Sequence, residues 1–200
     1  MKALDFDLSK DLTFNMQEGM TTFKDSRLLI MDANAMGLLQ QQLLDEVGWE
    51  RARHMLLKFG FQNGYSDFMQ MKLAYQFDSE MELLASGPVI RTWEGIVHAV
   101  PKEIHFDRNK DEFFFDAICK NSYEAQQHLC FNKIATEPVC WNLAGYASGW
   151  CSGFFGKRTV AMELLCAGRG DDHCELRIQL ESAWGPEAAP YIDAFKDFAV

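Results

Sequence analysis

No apolar run in this sequence approaches the roughly 20 residues needed to cross a bilayer, and its start, Met1-Lys2-Ala3-Leu4-Asp5-Phe6-Asp7, has no apolar segment of the secretory kind. Both absences lead to the expectation of a cytoplasmic protein. Positive charge is also scarce: 19 Lys and Arg stand against 29 Asp and Glu, a formal charge of −10. Nucleic-acid surfaces need clustered Lys and Arg to displace counterions, so no direct contact with DNA is expected from this chain. There is no Gly-rich phosphate loop of the Walker type, no helix-turn-helix pattern, no nucleotide fingerprint and no nucleophile with a base at motif spacing, which sets an enzyme reading aside. Repeats, low-complexity tracts and charge blocks are missing too.

What is present is apolar material, 48% of 200 residues, enough to bury the core of one compact domain. A chain of this size has little need of disulfide staples. The six cysteines (119, 130, 140, 151, 166 and 174) therefore read as reduced thiols, some of them metal-bound.

Alternation around Glu18-Gly19 predicts a hairpin before about Ile30. Residues 31–75 are helical in pattern, with Ala33, Met36, Leu39, Leu43 and Val47 three and four apart and Gly48 as a stop. A second helix follows, in which Gly60 and Gly64 lower propensity toward its end. Gly87-Pro88 reads as a break, after which Val89 to Ile104 and Glu112 to Ile118 read as strands about the turn Asp107-Arg108-Asn109-Lys110. Pro138 suits a first helical turn, and Cys140 to Phe155 reads as a helix. Gly145, Gly149 and Gly153, four apart, give that helix a smooth face for close backbone packing, within one chain or across two. Arg158 to Cys166 and Cys174 to Leu180 form a predicted hairpin, with a short closing helix from Pro190.

Cys166 and Cys174 flank a seven-residue turn long enough to bring two thiolates to one point, half of a zinc site. Cys140 and Glu163 can complete a tetrahedron, and four protein ligands with no open position mark a structural rather than a catalytic ion. One strain is visible. Glu163 and Cys166 are three apart and fall on opposite faces of a regular strand, so the strand must bend or end before Cys166. His173, His105, His128 and Cys151 compete as ligands, and the plainer reading makes all these cysteines small buried residues.

Three stretches carry a family resemblance. Gly48-Trp49-Glu50-Arg51-Ala52-Arg53 running on to Leu57-Lys58-Phe59-Gly60-Phe61-Gln62-Asn63-Gly64 is the first. Glu137-Pro138-Val139-Cys140-Trp141 with Gly145-Tyr146-Ala147-Ser148-Gly149 and Phe154-Phe155-Gly156 is the second. Glu163 to Cys166 with Gly168, Gly170, Asp172 and Cys174 is the third. Together they resemble the sensory domain of XylR/DmpR-type, aromatic-responsive, sigma-54-dependent regulators, whose C-terminal half is a 4-vinyl-reductase-type domain.

The resemblance implies an α+β (mixed α/β) fold with a structural zinc held by Cys140, Glu163, Cys166 and Cys174, so it favours Glu163 over His173. It also implies an N-terminal dimerisation segment over 1–47 and an effector-binding region over 48–200 with the zinc-binding part at about 120–182. The implied partners are a small aromatic effector, a second copy of the chain, and an attached AAA+ ATPase.

Phenol-sensing members of that family carry a His and a Trp as polar anchors, and by the resemblance Arg91 and Cys119 stand in their places. Arg91 can donate to an oxygen of the ligand, since a buried guanidinium without a partner is costly. The bland alternative has Arg91 facing solvent or pairing with Glu94. Ala117, Ala144 and Ala161 stand where some members have bulk, which implies a cavity for a substituted aromatic, with Trp93, Tyr146 and Trp150 as candidate walls. The competing expectation is a zinc-stabilised assembly module that senses no small molecule.

Overall fold

The computed structural model describes residues 1–199. One apolar core runs through the N-terminal segment, the helices and the main sheet. A one-turn helix α1 (Leu8–Asp11) leads into strands β1 (Leu12–Asn15), β2 (Met20–Phe23) and β3 (Ser26–Leu28). They form an antiparallel three-stranded sheet, so the expected hairpin is present with one further strand. Phe6, Phe23 and Tyr75 meet as an aromatic cluster that ties this sheet to the helices. Helix α2 (Ala33–Val47) stops at Gly48, whose φ of +77° favours a residue without a Cβ, and α3 (Trp49–Ala74) starts directly after it.

Helix α3 passes through Gly60 and Gly64 without ending. The helix survives because these two glycines are its contact with α6 (Trp141–Phe155). A Cβ on Gly64 would overlap the Tyr146 carbonyl, and one on Gly149 would overlap the Phe61 carbonyl. The smooth face read from Gly145, Gly149 and Gly153 therefore packs within the chain, and helix propensity is given up for backbone-to-backbone approach.

The main sheet is wholly antiparallel, in the order β4 (His98–Asp107), β5 (Glu112–Lys120), β7 (Cys174–Leu180), β6 (Thr159–Leu165). Its inner face, with Phe113, Phe115, Ala117 and Cys119 alternating along β5, covers α6, and α3 lies on the far side of α6. Pro101 is confined to β4, an edge strand, where a missing ladder donor is tolerated.

The expected strand from Val89 is corrected: residues Glu80–Trp93 form helix α4, which runs straight through Gly87-Pro88. Pro88 cannot donate to the Leu84 carbonyl four residues back, and that carbonyl instead accepts the Trp150 indole N–H at 3.1 Å. A partner from another helix thus offsets the local break signal. Residues Tyr123–Phe131 form α5, for which the sequence pattern offered no element. Helix α7 (Ala189–Phe195) closes the chain against α3.

Candidate functional site

Cys140, Glu163, Cys166 and Cys174 converge, all four buried, with one ligand atom from each lying within 4.8 Å of the others. Each arrives by a separate local device. Cys140 sits at the N-cap of α6. Glu163 lies on β6 just before a bulge, where Glu163 and Leu165 oppose the adjacent Leu176 and Glu175. The extra residue turns the chain, the strand ends at Leu165, and Cys166 comes round to the same side as Glu163. The three-residue spacing is thereby reconciled with the alternation of a strand. Cys174 opens β7 after a tight turn in which Asp171 accepts the Cys166 N–H at 2.8 Å.

The Cys140 sulfur lies 3.7 Å from that of Cys174 and 4.0 Å from that of Cys166. A tetrahedral ion with ~2.3 Å bonds to sulfur sets its sulfurs about 3.8 Å apart. Backbone N–H groups of Val139 and Ala167 point at the Cys166 and Cys174 sulfurs (3.4 and 3.3 Å), and the Ser122 hydroxyl lies 3.2 Å from that of Cys140. Oε2 of Glu163 accepts the Cys140 N–H at 2.9 Å, which leaves Oε1 buried with no hydrogen-bond partner among the described residues.

Burial pushes the Glu163 carboxyl and the Cys140 thiol well above their ordinary values, while hydrogen bonds from Cys140 and Cys174 draw Cys166 down to about 2. Four potential anions around one point, one of them with an orphaned oxygen, form a donor set that fits a divalent cation. His105, His128 and His173 lie outside this cluster. So does Cys151: eleven helical residues displace it from Cys140 by roughly 16 Å along the axis.

A second feature lies between α4, α6 and the inner face of the sheet, where a partly open cavity of about 50 Å³ has an apolar wall. Arg91, Ala117, Cys119, Tyr146 and Trp150 all border it. Trp93, Ala144 and Ala161 do not. Trp93 is 45% exposed, and its indole N–H donates to the Phe6 carbonyl at 3.0 Å, so it braces the N-terminal segment. Ala144 and Ala161 serve a different contact: Ser148 Oγ donates to the Ala144 carbonyl (2.7 Å) and accepts the Ala161 N–H (2.8 Å), which pins β6 against α6. Both contacts are to backbone atoms, and of the three alanines only Ala117 lines the cavity.

Arg91 combines the two roles that stood as alternatives. It borders the cavity and is paired to Glu94 at 2.7 Å, with its guanidinium carbon 3.9 Å from the centroid of the Tyr146 ring. Burial is the largest influence and works against its charge, but Glu94, Tyr146 and Asp67 together outweigh burial and keep it protonated. Asp67 completes the group from α3, its carboxyl raised to about 6 by burial and then by Glu94. Burial pushes the Cys119 thiol up to about 12, so at neutral pH it is an uncharged part of the wall.

Phe115, Leu143, Cys151, Leu176 and Ile178 also line the cavity. Periodicity carried the signal for them, since Phe115 lies two residues from Ala117 on a strand and Leu143 lies three from Tyr146 on a helix. Gly87 and Pro88 carried no such signal, because their stretch read as a break.

A buried cluster of three cysteines and a glutamate thus sits at one end of the sheet, apart from an apolar cavity under its inner face. Residues 7–107 match the family described as an activator of aromatic catabolism (XylR_N), and residues 121–180 match the 4-vinyl-reductase-type domain family. The crystal structure of the phenol-responsive sensory domain of the transcription activator PoxR with phenol superposes with a TM-score of 0.84 at 31% identity, covering 92% of this chain and 93% of that one. The phenol regulator MopR of Acinetobacter guillouiae is 30% identical over 178 residues, and the transcriptional regulatory protein XylR of Pseudomonas putida is 29% identical over 181. These alignments take in 89% and 90% of this chain but 32% of each relative, so the chain spans about a third of their length. The chain belongs to the sensory-domain family of XylR/DmpR-type transcriptional regulators. That family is one of regulators and not of enzymes.

Proposed function

We propose that this chain binds a small substituted phenolic or other oxygen-bearing aromatic effector in the cavity beneath α4, and that occupancy controls an attached sigma-54-dependent AAA+ activator in the cytoplasm. The observation that carries this reading is a partly open apolar cavity bordered by a single charged side chain, Arg91, in a chain akin to a phenol-responsive sensory domain over nearly its full length. The space of about 50 Å³ is smaller than the roughly 150 Å³ void that takes benzene, so binding must widen it.

The ion in the Cys140, Glu163, Cys166 and Cys174 cluster is zinc in this reading, with a structural role: it neutralises the buried anions and joins α6 to the β6–β7 turn. Homodimerisation through residues 1–47 is supported by the exposure of Leu29, Ile30, Met31, Leu38 and Leu39. Thermal denaturation against a panel of phenols, cresols and aromatic ketones tests the sensing role. Binding to the native state must raise the melting temperature in a concentration-dependent way, and a flat response across the panel would leave the assembly-module reading standing instead.

A further inference from the structure

Resting on the sensing reading above, we propose that the effector is a neutral aromatic carrying a carbonyl-type acceptor oxygen, and that Arg91 and Tyr146 select it over both the hydrocarbon and the carboxylate.

Two polar atoms in the α4–α6 wall are sealed from solvent and have no hydrogen-bond partner among the described residues: Nε of Arg91 and the hydroxyl of Tyr146. The Asp67 carboxyl lies close enough to that hydroxyl to act on it as an acceptor, though short of full hydrogen-bonding geometry, so Nε of Arg91 is the donor with no competing acceptor. Both atoms belong to side chains stacked on each other, at 3.9 Å from guanidinium carbon to ring centroid, and both residues border the cavity. The wall exposed to the cavity is wholly apolar, so these two atoms lie just behind it, and a ligand oxygen reaches them as binding widens the space. A buried donor without a partner costs free energy that a ligand acceptor can restore. The N–H of Arg91 can only donate, and the Tyr146 hydroxyl can donate to the same oxygen. A carbonyl oxygen has two lone pairs and no proton of its own, and so can satisfy both. A hydrocarbon satisfies neither.

The charge balance excludes the anion. The Arg91 guanidinium is already paired to Glu94 at 2.7 Å, and the Asp67 carboxyl stands near the same group. A carboxylate ligand would set a third acid beside a single guanidinium, out of water, where an uncompensated charge is heavily penalised. Hydrogen-bonding capacity remains free at Arg91, whereas positive charge does not.

Calorimetric titration of the 200-residue chain with three ligands of nearly one shape decides the matter: acetophenone, α-methylstyrene, in which CH2 replaces the oxygen, and benzoate. The expected result is acetophenone bound at least tenfold more tightly than α-methylstyrene, with no measurable benzoate binding. In Arg91→Met the preference should fall toward unity while α-methylstyrene still binds. Tyr146→Phe, which keeps the ring, should reduce it in part and serves if the first variant does not fold. Equal affinity for acetophenone and α-methylstyrene, or benzoate bound as tightly as acetophenone, overturns the assignment and leaves the sensing reading intact. Failure of all three, and of toluene and phenol as well, overturns the sensing reading and this assignment with it.

Discussion

The indole N–H of Trp150 on α6 donates to the backbone carbonyl of Leu84 on α4 at 3.1 Å, and that carbonyl is the one left free by Pro88. Gly87 makes the approach possible, since a Cβ there would come within 2.6 Å of the Trp150 ring. One side chain thus repairs a helix defect, fixes the distance between two helices and walls the cavity.

Trp150→Phe should therefore cost about 1–3 kcal/mol beyond the lost ring volume, because the Leu84 carbonyl is then buried without a donor. Pro88→Ala supplies an N–H that can bond this carbonyl within the helix. In a double-mutant cycle read by urea denaturation, Trp150→Phe should cost less in the Pro88→Ala background than alone. Additive effects would show that the indole bond does not stand in for the missing helical one.

The metal cluster predicts linked losses of ion and stability. Cys174→Ser should release one equivalent of zinc by elemental analysis and lower the melting temperature of the metal-loaded protein. Glu163→Gln, which keeps the acceptor for the Cys140 N–H but loses the anionic oxygen, should weaken metal affinity with less damage to the apo fold. A wild-type preparation free of chelators and devoid of metal would dispose of the cluster's assigned role.

Glu124 lies on α5, almost fully buried, and accepts the N–H groups of Asn142 and Leu143 at 2.9 and 2.8 Å, in the first turn of α6. Burial raises its carboxyl from 4.5 to about 7 against the pull of those two bonds. The native state then binds more protons than the unfolded chain between about pH 4.5 and 7, so stability should fall as pH rises through that window, by ~3 kcal/mol in all. Glu124→Gln should remove this component. The difference between the two stability–pH curves, measured at constant metal saturation, should slope downward toward neutral pH for the wild type, and a flat difference contradicts the assignment.

Filling the cavity separates ligand response from fold. Ala117→Val adds two methyl groups from the β5 wall, roughly the bulk the space accepts with modest strain. Its melting temperature without ligand should stay within a few degrees of the wild type, and the rise produced by an aromatic ligand should disappear. Retention of a full ligand-induced rise would move the binding site elsewhere.

Much of the candidate site was legible in the residues because it is local. Cys166 and Cys174 share one turn, and the distance across a turn is set by its length. Glu163 is one candidate among competing ligands on the residues alone and is favoured over His173 only by family resemblance, since strand periodicity turns it away and a one-residue bulge turns it back. Arg91, Tyr146 and Trp150 border the cavity, but Arg91 stands on a helix where the pattern predicts a strand. Gly-Pro is a strong break signal, and what overrides it here is an indole 66 residues away. Trp93 was assigned inward although it braces Phe6, because a helix places neighbours 91 and 93 on different faces.

The sequence by itself determined the acidic, apolar composition, the helical and strand periods, the cysteine turn and the glycine face, all properties of residues near one another along the chain. Only the tertiary structure decided that α4 is continuous, that the glycines meet α3 of the same chain, that Ser148 ties the backbones of Ala144 and Ala161 together, and that Arg91 is neutralised yet still short of one acceptor. Each of these depends on the energy of a group relative to a partner distant in sequence, and such partners are set by packing rather than by period.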